Sequence, residues 1–373
     1  MAINELIFDV ETTIKNKGNP YDKDNKVCYW GYFDSGGIDI RVSPRPDLTS
    51  ATCILFNGKF DLAWAKRYNV ILPSTIWDCQ LASFLLVGQT TPYPSLDGVA
   101  SSYGLGAKLG VVDLEYWSKG IDTPDIPEQV IREYLEQDLR LTYKVYKKQK
   151  EEFNKNPQLF KLFQLQCEDL LTLLEMEWNG LVLDVETCKQ KEKECEKEIE
   201  DIDKELKKIV GDIPVNFASN DHLSAILYGG TIVHKSRVPV GVYKTGEKAG
   251  QPRYKVIEYE FKQNGFFKPP KGSELAKPGY YSTDQDTLQS LNGSGTGKLL
   301  LRCLLDRSRQ EKLLGTYFRG FPEKLQKSNS IDGRLHCQFN QVVARTGRLS
   351  SSNPNLQNLD KEMKRLMVSR YNV

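Results

Sequence analysis

Histidine is almost missing from this chain: His222, His234 and His336 are the only three in 373 residues. A His-centred triad or a His-rich metal site has almost nothing to be built from. Eight cysteines are scattered with no C-x-x-C pair, which argues against a zinc site and fits free thiols in a reducing compartment. No stretch reaches the ~18 uninterrupted apolar residues of a membrane span. The start MAINELIFDVETT has no basic region followed by an apolar core, so the sequence reads as neither secreted nor anchored, and hence as cytoplasmic. Excess charge is lacking too: 51 Lys and Arg against 49 Asp and Glu leave +2. That excludes a tail-driven nucleic-acid binder but leaves room for a locally basic face. If this chain holds a metal, carboxylates must hold it.

What is present is an ordinary globular composition, 39% apolar and 27% charged, in a length that suits two or three domains. Strands are expected at ELIFDV (5–10), VCYWGYF (27–33), IDIRV (38–42) and CILFN (53–57), with Ser35-Gly36-Gly37 as a hairpin turn. Helices are expected from Phe60 to Tyr68, around 78–87 and 95–103, and after Pro127. This last helix carries Ile131, Leu135, Leu139, Thr142, Val145 and Tyr146 at helical spacing. Strands first and helices after predict an α/β domain on a mixed sheet. From about 158 the pattern turns helical and amphipathic, with Gly180 as a stop. A charge-dense helix with Ile199, Ile202, Leu206 and Ile209 in a narrow stripe follows, and a second runs over 297–318. The two are expected to pair as an antiparallel arm. Between them, 229–282 reads as an insertion with hairpin content.

Asp9 and Glu11 are two apart in the first strand and so leave one face. Asp61 falls where a helix begins, and Tyr134 and Asp138 are four apart on one helical surface. Singly, each has an ordinary structural role open to it: Asp9 past a strand end, Asp61 as a helix N-terminal charge, Asp138 in an ion pair, Tyr134 in a core. Were these four carboxylates to converge, they would repel unless hard divalent cations neutralised them, and oxygen ligands suit Mg²⁺ or Mn²⁺. Asp78, in WDCQLASFLL, reads as a helix N-cap or a supporting carboxylate, and Asn57 as a supporting residue or substrate contact.

In order, FDVET, N-x-x-x-D (Asn57 to Asp61) and Y-x-x-x-D (Tyr134 to Asp138) resemble the three motifs of the DnaQ-like 3′–5′ exonucleases. More narrowly, they resemble the tyrosine subclass found in the proofreading domains of family A DNA polymerases. The resemblance implies an RNase H-like fold and two Mg²⁺ or Mn²⁺ ions held by Asp9, Glu11, Asp61 and Asp138. Tyr134 would position the attacking water. The reaction would release 5′-mononucleotides from a single-stranded DNA 3′ end.

ARTGRLSSSNPNLQNL, Ala344 to Leu359, is similar to the segment that opens the family A palm. By that resemblance Arg348, Asn355 and Gln357 lie along the minor groove of a primer–template duplex. The expected division is 1–155 exonuclease, 156–328 helical thumb with the 229–282 insertion, and 329–373 incomplete palm. The family's polymerase carboxylates would lie beyond Val373. The expectation is therefore a proofreading Mg²⁺-dependent exonuclease that forms the N-terminal part of a split or truncated polymerase. A second chain would carry the fingers and remaining palm, and extension is not expected from this chain alone. A start directly at the first motif suggests a phage origin and the cytoplasm of an infected host. The alternative is a non-catalytic DNA-binding subunit that supplies thumb and palm elements to a separate polymerase chain.

Overall fold

ELIFDVET carries apolar side chains at Leu6, Ile7, Phe8 and Val10, on both faces of an extended chain, a pattern suited to a strand covered on both faces. It forms β1, Glu5–Thr12, the central strand of a five-stranded sheet in a computed structural model that describes residues 5–44, 48–49, 51–107 and 110–369. The others are β2 (Val27–Asp34), β3 (Gly37–Arg41), β4 (Thr52–Leu55) and β5 (Ile76–Asp78), in the spatial order β3-β2-β1-β4-β5. The first three strands run antiparallel by hairpin geometry, while β1, β4 and β5 are mutually parallel. Parallel neighbours need a crossover, and α1, Gly58–Arg67, supplies it between β4 and β5. The sequence pattern has residue 78 opening a helix. Asp78 ends β5, a strand the pattern did not show, and takes the N-cap role expected of it at the start of α2, Cys79–Leu86, its carboxylate accepting from the Leu81 N–H at 2.7 Å.

Short helices α3 (Leu96–Ser102) and α4 (Val111–Glu115) precede the long α5, Glu128–Phe153, which lies over β1 and β2. All six apolar-face positions expected in α5, from Ile131 to Tyr146, are buried. α6, Pro157–Asn179, ends at Gly180, whose φ of +56° and closeness to His336 leave no room for a side chain. A two-residue strand β6, Val182–Leu183, follows.

By compactness the chain divides into Met1–Val185 with Phe321–Val373, and Glu186–Gly320. The second unit holds α7 (Val185–Val210), α8 (Asn220–Tyr228), the hairpin strands β7 (Gly230–Val242) and β8 (Pro252–Gln263), α9 (Gln285–Ser290) and α10 (Gly295–Lys312). α10 runs on through a π-helical turn, Leu313–Phe318. Asp203 pairs with Arg307 at 2.5 Å, Glu198 with Gln310, and Glu192 and Glu196 with Arg319. The partners climb one helix as they descend the other, so the arm is antiparallel. Leu206, Ile226, Leu227, Ile232, Leu300 and Leu304 form this unit's own core.

The last stretch rejoins the first unit. It contains α11 (Gly320–Ser328), β9 (Gln338–Asn340), β10 (Ser350–Ser352), α12 (Lys361–Lys364) and β11 (Met367–Val368). β9 pairs antiparallel with β10, and β11 with β6. The strand expected over GRLHCQFNQ is only three residues long. Upstream, His336 stacks flat on Tyr21 (3.9 Å between ring centres) and contacts the Glu177 carbonyl and Asp332 instead of extending a ladder. Residues 370–373 of the expected palm segment lie outside the described residues. Among the described residues no helix is long and apolar enough to cross a membrane.

Trp77 ties the first unit together. Its ring meets Tyr146 at 5.0 Å, Phe163 at 4.6 Å and Phe153 at 5.6 Å, and its Nε1 donates to buried Gln149 at 3.0 Å. Trp77→Ala should cost about 3–5 kcal/mol, because it leaves a cavity and deprives the Gln149 carbonyl of its donor. A fall in the denaturant midpoint of the first unit's unfolding transition checks this.

Candidate active site

Carboxylate oxygens of Asp9, Glu11 and Asp138 all lie within 4.8 Å of one another, Asp9 half-buried and the other two buried. Asp9 and Glu11 leave one face of β1 by the two-residue period of a strand, and α5 brings Asp138 down onto that face. Gly31 faces Asp9 in the β1–β2 register. A Cβ at Gly31 would stand 3.0 Å from the side chains of Leu135 and Leu139, so only bare backbone lets α5 settle this close.

Asp61, on the first turn of α1 and 3% exposed, is outside the three whose oxygens gather within 4.8 Å but lies beside Asp9, close enough for the two carboxyls to interact. Burial first, and then the Asp9 charge, push its pKa well above the usual carboxylate range. Tyr134 is buried one turn before Asp138, its ring edge-on to Trp117 at 5.5 Å. Trp117 in turn donates to Thr123, whose hydroxyl donates to the Thr12 carbonyl at 2.6 Å. Asp122 accepts from the Ile14 N–H at 2.8 Å. The 117–123 loop thus clasps the end of β1 directly after the two acids.

Asp78 stands outside the cluster. Its second oxygen accepts from the Gly58 N–H at 2.6 Å, so one buried carboxylate serves the starts of both α1 and α2. Asn57 precedes α1 in a left-handed conformation (φ 60°) and does not cap it, and its side chain lines a cleft of about 600 Å³. Arg348, Asn355 and Gln357 are exposed on the loops either side of β10 and are not members of the carboxylate group.

The cleft is what sequence reasoning missed. Lys17, Lys324 and Lys327 line it together with amides such as Asn16 and Gln338 and the exposed ring of Tyr93. It reaches the acids' neighbours: Phe60, one residue before Asp61, lines it and lies 3.3 Å from where a Gly18 side chain would begin, beside Thr12. The KNKGN run after the first motif was the available signal. Only folding shows that it meets residues near the far end of the chain.

Residues 255–371 match the profile of DNA polymerase family A. The chain is 27% identical to DNA polymerase I of Synechocystis sp. over 311 residues, 82% of this chain and 27% of that protein. With DNA polymerase I of Streptococcus pneumoniae R6 it shares 27% identity over 367 residues, 96% of this chain and 36% of that one. It spans roughly a third of the length of these curated relatives. Among solved structures it is similar to the POL domain of Pol1 from M. smegmatis in complex with DNA primer-template and dNTP. The TM-score is 0.66 at 19% identity, covering 98% of this chain and 54% of that one. The chain is related to the family A DNA polymerases, and its α/β fold with a mixed sheet is similar to that POL domain.

Two outcomes test this geometry. Gly31→Val should lift α5 from the sheet at a cost of about 1–3 kcal/mol; thermal melts of the variant against the parent chain measure it. For Asp61, folding raises the pKa above the unfolded value of ~3.9. Folding therefore favours its neutral form: the stability it contributes is complete below that unfolded value and is lost as pH rises through the folded one. In EDTA, Asp61→Asn should melt above the parent chain at pH 8 and coincide with it near pH 4, by thermal denaturation across that range.

Proposed function

We propose that this chain is a divalent-cation-dependent 3′–5′ exonuclease acting on DNA ends, in the service of proofreading. The observation that carries the reading is the meeting of Asp9, Glu11 and Asp138 within 4.8 Å, with Asp61 beside Asp9. The sheet order β3-β2-β1-β4-β5, with two parallel strands on one side of β1 and an antiparallel hairpin on the other, supports an RNase H-like assignment for this part of the chain. The relatives named DNA polymerase I and the solved neighbour's primer-template support DNA as the substrate.

The donor set is carboxylate oxygen throughout, without His or Cys, and fits hard cations such as Mg²⁺ or Mn²⁺. Asp9, Glu11, Asp61 and Asp138 would hold a pair of them, which when bound would supply Lewis acidity at phosphorus and neutralise the gathered negative charge. Tyr134 would orient the attacking water through its hydroxyl, since a phenol with a pKa near ~10 is a poor base at neutral pH. Water adds to the terminal phosphorus, the bond to the 3′ oxygen breaks, that oxygen takes up a proton, and a 5′-mononucleotide leaves. Lys17, Lys324 and Lys327 along the cleft would hold the strand's phosphates, and Tyr93 at its rim offers a face for a base. Arg348, Asn355 and Gln357, exposed on their loops, are read as contacts to a primer–template minor groove. Nothing in the geometry of the described residues points to a second polymerase chain.

A 5′-labelled single strand incubated with the chain and Mg²⁺ should shorten from its 3′ end. Asp9→Ala should slow this about 10³-fold, the equivalent of roughly 4 kcal/mol of lost charge stabilisation. Tyr134→Phe should cost about 10². Shortening that survives EDTA, or an Asp9→Ala variant as fast as the parent, would sink the reading.

A further inference from the structure

We propose that one face of the β7–β8 hairpin is a contact surface for duplex DNA. Residues 230–263 carry seven Lys and Arg against three Glu, so a chain of net charge +2 would stand at −2 without this hairpin. The register sorts these charges by face. Directly opposed residues share a face, so the pairs Ile232–Phe261, His234–Tyr259, Ser236–Ile257 and Val238–Lys255 form one side, and Arg253 continues it by the two-residue period. The other side takes Thr231–Lys262, Val233–Glu260, Lys235–Glu258 and Arg237–Val256, three cations against two glutamates. Both strand glutamates thus lie on the second face, where Glu258 is ion-paired with Lys235 at 2.8 Å. The first face has no carboxylate.

That face is held at one end and open along the rest. Ile232 is fully buried and Phe261 packs against the core of the same unit, which fixes the root of the ribbon. Beyond it, residues 251–260 are all exposed, Ile257 at 36% and Tyr259 at 47%. Two cations, Arg253 and Lys255, at the outer end and exposed Ile257 and Tyr259 between them and the root suit a polyanion that brings its own apolar edges. The carboxylates that would repel phosphate point away. A duplex fits these dimensions: its major groove admits a two-stranded ribbon, and Arg253 to Tyr259 spans about 20 Å at the rise of a strand. The carboxylate cluster contributes nothing to this surface, so the proposal stands or falls apart from the nuclease reading.

The test compares two variants of equal charge change on opposite faces, R253S/K255S and R237S/K262S, in the full chain. Binding to a fluorescein-labelled 24-base-pair duplex is followed by anisotropy in EDTA, which silences cleavage, from 50 to 200 mM KCl. R253S/K255S should weaken binding about 10-fold at 100 mM and lower the salt slope by about 2, since each phosphate that is no longer neutralised takes about 0.9 from it. R237S/K262S should stay within about 2-fold of the parent. Equal weakening in both variants would reduce the effect to net charge and overturn the proposal. So would an unchanged slope in R253S/K255S, or a larger drop in affinity for a single strand than for the duplex. A parent dimer in sedimentation that R253S/K255S converts to monomer with its DNA affinity intact would assign the face to a second copy of the chain instead.

Discussion

Gly31 sets how near α5 can come to the sheet, and the carboxylate site depends on that distance. The residue faces Asp9 across the β1–β2 ladder, and Leu135 and Leu139 fill the space where its side chain would be. Asp138 lies between those two leucines in sequence, so the leucines' seat on bare backbone is what carries the carboxylate to Asp9 and Glu11. Tyr134, a turn earlier, is carried in by the same seating and steadied by Trp117. A strand gives two acids on one face by its period alone. The third comes from a helix that must be pressed close, and the fourth from α1, which the parallel step from β4 to β5 positions beside β1.

Bringing these groups together works against folding unless something positive joins them. Burial and the Asp9 charge hold Asp61 toward its neutral form. Contrast Asp78, equally buried, whose two oxygens each accept backbone N–H groups. There the helix starts supply the positive ends of dipoles and offset part of the cost of burial. Burial raises the pKa of both aspartates, but Asp78 is drawn back by several backbone N–H groups and Lys59, whereas Asp61 has another acid beside it.

The first strands and the long helix were legible because each rests on short-range rules: β-rich runs gave β1 and β2, and helical spacing gave the buried face of α5. Asp9, Glu11, Asp61, Tyr134 and Asp138 were put forward together only by the ordered motifs. β5 was not legible: three residues, Ile76–Asp78, are too few to show a period, and the helix directly after them dominates the pattern. The strand over GRLHCQFNQ was overread because alternation says nothing about the competing partners of His336, which are Tyr21, Glu177 and Asp332. The cleft was invisible for a similar reason. Lys17, Tyr93 and Lys327 carry no motif, and their meeting depends on the chain's return to the first unit after residue 320. The charge segregation on the β7–β8 ribbon needed the register, which hydrophobicity alone leaves open on an exposed hairpin.

That return is fastened by one buried acid. Glu177, near the end of α6, accepts from the Lys59 ammonium of α1 and from the Phe339 N–H of β9, each at 2.5 Å. Burial pushes its carboxyl above the usual range, and Lys59 followed by the Phe339 N–H pulls it part of the way back. Lys59 also donates to the Phe339 carbonyl, so the ammonium bridges the carboxylate and the strand. An ion pair this enclosed adds little net stability but is costly to break, because either partner left alone is a buried charge. Its consequence is geometric: α1, α6 and β9 meet in one place with little freedom to slide. α1 also carries Asp61, and Asn57 directly precedes it. The segment bearing the palm-like elements is thereby held in register with the helix that bears one of the four carboxylates, and a shift of β9 could not occur without straining α1.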